Sequence, residues 1–175
     1  MTYEPRPYTG LADWPARGRR PGTQYFVQSI NFLTGGNTYN LGTYGIRPNK
    51  SNPKLQSVHG TGRAADIGRV NPKTGKAAWN WTTMSKNVVK PLIENAALFG
   101  IELVVEYEFG VGGRTWRCDR GTWIVQPAGR LARWPGIHVE LDPAHADNPA
   151  LIDAAWHQLF AGLEPAPVVD PVTPA

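Results

Sequence analysis

Glycine and proline recur so often in this chain that few long helices can form. The 175 residues include 19 glycines and 16 prolines, and both residue types mark turns and interrupt regular elements. The sequence therefore predicts long loops that connect short elements. A chain of this length is typical of one domain and is long enough to build a substantial hydrophobic core.

Two segments have the apolar periodicity of amphipathic helices. In residues 85–99, Ser85 is a candidate N-cap and Gly100 a stop, while Pro91 indicates a kink or a start near that point. Residues 148–163 have a comparable apolar stripe. Strands are predicted at 65–70, 101–109, 114–118, 119–125 and 137–141. Together these segments indicate an α+β fold, in which helices pack on a small antiparallel sheet with long loops.

The two ends of the chain differ from its middle. Residues 1–24 are rich in proline, glycine and arginine and predict an irregular N-terminal arm. Residues 25–33 fit either a strand or a short helix, because periodicity does not decide between them. Residues 164–175 contain four prolines in twelve positions, which predicts a linker to a further module that is missing from this sequence.

Charge and cysteine content limit the classes of partner and site. The net charge of +4 and the isoelectric point of about 9.4 give a mild preference for anionic partners. The densest basic cluster, Arg17, Arg19 and Arg20, is more typical of a solvated surface than of a binding site for an anionic partner. Cys118 is the only cysteine, which excludes an internal disulfide and an all-cysteine zinc site. The N-terminus has no signal-peptide core, so we expect synthesis in a cytoplasm and no membrane anchor.

The stretch SVHGTGRAADIG contains a histidine and an aspartate seven positions apart. Catalytic zinc typically takes three protein ligands and leaves a fourth position for water. His59, Asp66 and His138 have suitable donor atoms, and these converge if the strands that carry Asp66 and His138 are neighbours. A histidine and an aspartate at this spacing also occur together by chance. His145 and His157 are weaker candidates, since one follows a loop and the other lies in the terminal helix.

The wider pattern resembles one enzyme family. Residues 45–47 (GIR), 57–67 (SVHGTGRAADI) and 138–140 (HVE) are similar to motifs of the zinc D-Ala-D-Ala carboxypeptidases and L-alanyl-D-glutamate endopeptidases. That family belongs to the superfamily of lysostaphin, D-Ala-D-Ala carboxypeptidase and hedgehog domains. The RTW and RGTW segments ahead of the last strand resemble the versions found in endolysins of actinobacterial phages. The resemblance covers residues 40–142.

The resemblance implies a fold, a ligand set and an activity. Residues 1–163 would form a zinc peptidase domain whose loops surround the metal. His59, Asp66 and His138 would bind Zn²⁺, and Ser57 would support these ligands by contacting them. The implied activity is hydrolysis of stem-peptide or crosslink bonds in bacterial peptidoglycan, by the catalytic module of a phage endolysin. Such a protein is expected to be a monomer without specific nucleic-acid or membrane binding. It would reach the cell wall after the membrane is permeabilised.

Other residues would contact the substrate. Arg47 matches the family's arginine that contacts a substrate carbonyl or carboxylate, and it is the expected catalytic cation. Arg63, Trp116 and Trp134 are predicted substrate-binding residues. The tryptophans, together with Trp123, would flank a cleft and stack on sugar or peptide, or alternatively belong partly to the core.

One departure from the family pattern concerns the general base. The family places an acidic residue three positions before the last zinc histidine, or a second histidine two positions before it. Here these positions hold Pro135 and Gly136. Glu140 projects to the same face of the predicted strand as His138, so it is either the base or a carboxylate that orients a ligand. The further candidates for the base, in order, are Glu106, Glu108, Asp119 and Asp142.

Three alternative functions remain open at this point. A host carboxypeptidase would use the same ligands to release terminal D-alanine. A non-catalytic wall-binding module with a structural zinc would explain why Pro135 and Gly136 replace the expected acid or base. A nucleic-acid-binding protein is suggested by the basic isoelectric point alone.

Overall fold

An antiparallel sheet forms the centre of the protein. The computed structural model describes residues 3–49, 52–131 and 134–159. Within these residues the strands are β1 (Tyr39–Gly42), β2 (Ala64–Gly68), β3 (Ile101–Glu106), β4 (Arg114–Arg117), β5 (Trp123–Val125) and β6 (Gly136–Leu141). They are hydrogen-bonded in the order β1-β2-β6-β3-β4-β5, and every neighbouring pair is antiparallel. The predicted α+β class with a small antiparallel sheet is confirmed.

Strand β6 lies between β2 and β3, and all of its residues are buried. Its side chains alternate between the two faces of the sheet, as in any strand. Ile137, Val139 and Leu141 belong to the hydrophobic core, whereas His138 and Glu140 line a cavity on the other face. The sheet therefore separates the apolar core from a polar site.

Helices cover the core face of the sheet. They are α1 (Pro21–Leu33), α2 (Trp81–Met84), a π turn (Ser85–Val89), α3 (Lys90–Glu94), α4 (Pro143–Asp147) and α5 (Pro149–Leu159). Helices α1 and α5 pack through Phe26 and Trp156, whose ring centroids are 6.2 Å apart. Phe99 adds a third ring, 4.3 Å from that of Trp156. Large buried aromatic side chains such as these dominate the energetics of a core.

The N-terminal boundary differs from the prediction. Residues 25–33, for which the sequence left both a strand and a helix open, belong to helix α1. That helix begins at Pro21, so the irregular arm ends at Arg20 rather than at residue 24. Proline is favourable in the first turn of a helix, because the N–H that it lacks would have no partner within the helix.

The helical segment before β3 also begins earlier than predicted. Its N-cap is Asn80, whose side chain accepts a hydrogen bond from the N–H of Thr83 at 2.9 Å, and not Ser85. Its last helical residue is Glu94, and turns lead from there to Gly100. The π turn ends directly before Lys90 and Pro91, the first two residues of α3. Pro91 has no N–H to donate to the preceding turn.

The C-terminal part of the domain prediction lies outside the described residues. Helix α5 is described to Leu159, so residues 160–163 and the predicted linker at 164–175 are not covered. Among the described helices, none has both the length and the apolar character needed to cross a membrane.

A buried arginine connects the N-terminal arm to the sheet. The Arg63 guanidinium donates to Glu102 Oε2 at 3.0 Å, to the carbonyl of Leu141 at 2.6 Å and to Asp13 Oδ1 at 2.9 Å. It also donates to the carbonyl of Gly10. Arg63, a predicted substrate-binding residue, is instead fully buried, and its donors are used inside the protein.

Trp116 likewise lies in the core rather than at a cleft. Its exposed fraction is 1%, and its ring meets that of Tyr3 edge-to-face, with centroids 5.2 Å apart. The Tyr3 hydroxyl donates to the carbonyl of Cys118 at 2.9 Å. The arm covers this tryptophan, so the prediction that Trp116 binds substrate is corrected to a packing role.

Candidate metal centre

Strand pairing brings two of the predicted ligands together. Asp66 of β2 lies directly opposite His138 of β6 in the antiparallel register. His59 lies in a 3₁₀ turn (Val58–Thr61) just before β2, and the Ser57 side chain caps that turn by accepting from the N–H of His59 at 3.3 Å. Gly62 ends the turn with a φ of +72°, a conformation that glycine adopts without steric cost.

The three side chains form a compact donor group. His59 Nε2 lies 3.2 Å from Asp66 Oδ2, and His138 Nδ1 lies 2.9 Å from Asp66 Oδ1. One ligand atom from each residue lies within 4.8 Å of the other two. Two atoms bound to one tetrahedral zinc at about 2.0–2.2 Å are roughly 3.3 Å apart. The group can therefore hold a metal ion after small adjustments of the side chains.

The protonation of these residues follows from their burial and mutual hydrogen bonds. Burial lowers the pKa of His59. Although burial opposes ionisation of Asp66, hydrogen bonds from His138 and His59 hold the pKa of this carboxyl well below its usual range. Burial also acts against the charge of His138, but its hydrogen bonds to Asp66 and Glu140 raise its pKa to about 10. These hydrogen bonds place the His138 ring between two carboxylates, those of Asp66 and Glu140.

The centre forms one wall of a cavity of about 300 Å³. Arg47 lines this cavity, and its Nη2 atom lies 3.5 Å from Asp66 Oδ2. The Arg47 side chain is 43% exposed, so its guanidinium can reach a ligand in the cavity. Trp134 lines the cavity as predicted, and its ring lies 4.8 Å from that of Tyr107.

A larger cavity of about 700 Å³ lies elsewhere, between the α2–α3 segment and strands β4 and β5. Trp123 lines this second cavity, so it does not flank the metal centre. The Arg114 guanidinium is stacked against the Trp123 ring, 4.1 Å from its centroid. Glu94 is the one carboxylate among the described lining residues, and none of them is a histidine. This composition does not provide a metal centre.

Glu140 has a protein partner for each carboxylate oxygen. Its Oε1 atom accepts from His138 Nε2 at 3.0 Å, and its Oε2 atom accepts from the Tyr8 hydroxyl at 2.7 Å. Burial opposes its ionisation, but the hydrogen bond from His138 keeps the pKa of Glu140 below its usual value. This arrangement orients the His138 ring so that Nδ1 faces Asp66 and Nε2 faces away, a common support for a metal-binding histidine.

The other candidates for the base do not reach the cavity. Glu106 is fully buried and accepts from Ser85 and Arg114. The three remaining carboxylates each have a protein partner away from the cavity: Glu108 pairs with Arg69, Asp119 with Arg117, and Asp142 with His145. The two histidines given less weight as ligands lie outside the centre too, because His145 contacts Asp142 and His157 pairs with Asp153.

Close packing explains why no side chain occupies position 136. A Cβ atom on Gly136 would lie 2.3 Å from the carbonyl oxygen of Ile67 and 2.2 Å from the Trp134 ring. The family's second histidine therefore has no space here. Apart from Asp66, Glu140 is the one carboxylate among the described residues that line the cavity.

Among the cavity residues that the sequence analysis did not single out are two tyrosines, Tyr107 and Tyr8. Tyr107 follows Leu103 and Val105 at a spacing of two, and all three line the cavity, so strand alternation could have identified it. Tyr8 belongs to the irregular arm, where no periodicity indicates which side chains point inward. Burial raises the pKa of the Tyr107 hydroxyl above its usual value, so this group stays protonated near neutral pH.

Comparison with models of known protein families, with curated proteins and with solved structures finds no match to this chain. Function is therefore inferred from the site itself.

Proposed function

We propose that this chain is a zinc-dependent peptidase that hydrolyses peptide bonds of bacterial peptidoglycan, as the catalytic module of a phage endolysin. The observation that carries the proposal is the convergence of His59, Asp66 and His138 in a cavity that Arg47 also lines. The order and spacing of these four residues resemble the zinc D-Ala-D-Ala carboxypeptidase and L-alanyl-D-glutamate endopeptidase family.

The donor set fits zinc well. Two imidazole nitrogens and one carboxylate oxygen are typical ligands of catalytic zinc, which keeps a further position for water. When bound, the ion would make that water more acidic and polarise the scissile carbonyl. The ligand atoms of His59, Asp66 and His138 face one cavity, which leaves room for a substrate on the same side.

The protein's own residues would hold and polarise the substrate. Arg47 would donate to the carbonyl oxygen or to a terminal carboxylate, because its guanidinium lies beside the ligand group and is partly exposed. A cation in this position stabilises negative charge that develops on the oxygen during hydrolysis. The Tyr107 and Trp134 rings would pack against a short peptide, since a cavity of about 300 Å³ suits small residues such as alanine.

The role of Glu140 distinguishes two versions of the site. As the general base it would accept a proton from water; as an orienting carboxylate it would hold His138. Its two hydrogen bonds, to His138 and Tyr8, favour the orienting role. In Glu140→Gln, an orienting role predicts weaker zinc binding, by about 10–100-fold. A role as the base predicts unchanged zinc binding with most turnover lost.

A non-catalytic, zinc-containing cell-wall-binding module is the second candidate. It is favoured by the absence of an acid or base at positions 135 and 136, where Gly136 has no space for a side chain. Both carboxylate oxygens of Glu140 accept hydrogen bonds from protein groups, which also favours the binding module. Arg47 beside an open group of three ligands favours the peptidase.

One experiment tests both candidates. The purified protein is analysed for metal content and incubated with actinobacterial peptidoglycan, and the products are identified by mass spectrometry. We expect one zinc per chain and new amino termini in the stem peptides or crosslinks. Release of free D-alanine alone would indicate a carboxypeptidase instead. Bound zinc without any product would indicate a binding module, and absence of metal would refute the proposal.

Substitutions link the activity to the site. His59→Ala, Asp66→Ala and His138→Ala should each lose bound zinc and reduce product formation to background, because each removes one of three ligands. His157→Ala is the matched control, since this histidine is half-exposed on α5 and pairs only with Asp153 among the described contacts. Zinc content and activity of His157→Ala should equal those of the wild type.

A further inference from the structure

The N-terminal arm contributes a side chain to the wall of the metal-centre cavity. The Tyr8 hydroxyl donates to Glu140 Oε2 at 2.7 Å, and Glu140 Oε1 accepts from His138 Nε2 at 3.0 Å. The other ring nitrogen, His138 Nδ1, lies 2.9 Å from Asp66 Oδ1. A continuous series of hydrogen bonds therefore connects the irregular arm with two candidate ligands.

The middle of this series, the Glu140–His138 hydrogen bond, is shielded from water. Glu140 is 5% exposed and His138 is 9% exposed. Buried hydrogen bonds hold their geometry more strongly than exposed ones, because water does not compete for the donors and acceptors. The Arg117 guanidinium lies over the Tyr8 ring, 4.7 Å from its centroid.

The arm is attached to the sheet on both sides of Tyr8. Before it, Arg6 Nη2 donates to the carbonyl of Ile101 at 2.7 Å. After it, the Thr9 hydroxyl donates to Glu102 Oε2 at 2.8 Å. Both anchors lie on strand β3, a direct neighbour of β6. The backbone around Tyr8 is thus held next to the strand that carries His138 and Glu140.

We propose that Tyr8 is a positioning residue of the metal centre. Its hydroxyl fixes the Glu140 carboxylate, and Glu140 in turn holds the His138 ring with Nδ1 facing Asp66, the orientation in which both would bind a metal. This inference rests on the proposed zinc-dependent function. Among the described residues, Tyr8 supplies the hydrogen bond to Oε2. Without that hydroxyl the carboxylate can rotate towards the cavity and release His138 Nε2.

The test compares two tyrosines of the same arm. Tyr8→Phe removes the hydroxyl that contacts Glu140, and Tyr3→Phe removes one that donates to the Cys118 carbonyl, away from the cavity. Zinc affinity is measured by competition with a chromophoric chelator. The visible spectrum of the cobalt-substituted protein reports the geometry around the metal. Thermal unfolding of the metal-free proteins measures stability separately.

We expect Tyr8→Phe to bind zinc about tenfold more weakly, the lower end of the range for groups that support a metal ligand. Its cobalt spectrum should also change. Tyr3→Phe should keep the wild-type affinity and spectrum even where its stability falls. Wild-type affinity and spectrum in Tyr8→Phe would overturn the proposal, and so would equal losses of affinity in both variants. If the wild type itself bound neither ion, the metal centre and its function would be refuted as well.

Discussion

Replacement of Arg63 tests the buried network that joins the arm to the sheet. Its guanidinium is fully buried and pairs with Glu102, whose side chain is 2% exposed. Arg63→Met keeps much of the side-chain volume but removes the donors to the Glu102 and Asp13 carboxylates and to the carbonyls of Leu141 and Gly10. Removal of one partner from a buried ion pair costs about 3–5 kcal/mol. We expect the free energy of unfolding to fall by about that amount.

Urea unfolding followed by circular dichroism measures this change. In a domain of this size, about 3–5 kcal/mol corresponds to a decrease in melting temperature of roughly 6–20 °C. Lys90→Met is the control, because Lys90 forms an exposed pair with Glu94 in which the side chains are 68% and 58% exposed. Such a pair contributes about 0–1 kcal/mol. A loss in Arg63→Met no larger than in Lys90→Met would refute the reasoning.

The effect of Arg63→Met should also depend on pH. Burial raises the pKa of Glu102 even though Thr9 and Arg63 donate to it, and loss of Arg63 raises it further. An acid whose pKa is higher in the folded chain than in the unfolded chain opposes folding only above its unfolded pKa, about 4.3 for glutamate. The destabilisation should therefore be smaller at about pH 4 than at about pH 7. Equal losses at both pH values would show that Glu102 is not the group left unpaired.

Two further predictions concern the strand that carries the site and the metal itself. Gly136→Ala should lower the free energy of unfolding by about 1–3 kcal/mol, because the added Cβ atom would lie 2.3 Å from the Ile67 carbonyl oxygen; unchanged urea unfolding would contradict that close packing. Free zinc at about 100 times its Kd should stabilise the wild type by about 2.7 kcal/mol, visible as a higher melting temperature that EDTA reverses. His157→Ala should respond like the wild type, and a similar response in His138→Ala would argue against this ligand.

Local patterns in the sequence predicted much of the metal centre. Alternation in residues 137–141 placed His138 and Glu140 on one face, and the structure has them there. Nothing in either strand specifies its neighbour, so the sequence leaves open whether the strands of Asp66 and His138 pair, and the structure pairs the two residues directly. The ligand group depends on this pairing, because Asp66 and His138 are 72 positions apart in sequence and meet through the pairing of their strands.

The functions of Arg63 and Trp116 could not be inferred from their neighbours in sequence. Arg63 belongs to the SVHGTGRAADIG stretch and Trp116 to the RTW segment, and both segments contribute to the resemblance to the peptidase family. Their burial depends on the arm, through Gly10 for Arg63 and Tyr3 for Trp116. An arm without regular periodicity gives no local signal of where it packs, and the same reason hid Tyr8. By contrast, the cap at Asn80 had a local signal that was overlooked, since asparagine is a preferred N-cap.

The place of β6 in the sheet also determines the order in which the domain can assemble. Among the described strands this one comes last in sequence, yet it lies between β2 and β3. Contacts between residues far apart in sequence form slowly, because long loops must close first. During synthesis, the ribosome must release almost the whole domain before β2 and β3 have the strand that joins them. A nascent chain that stops before residue 136 therefore carries His59 and Asp66 without the strand that brings the third ligand to them.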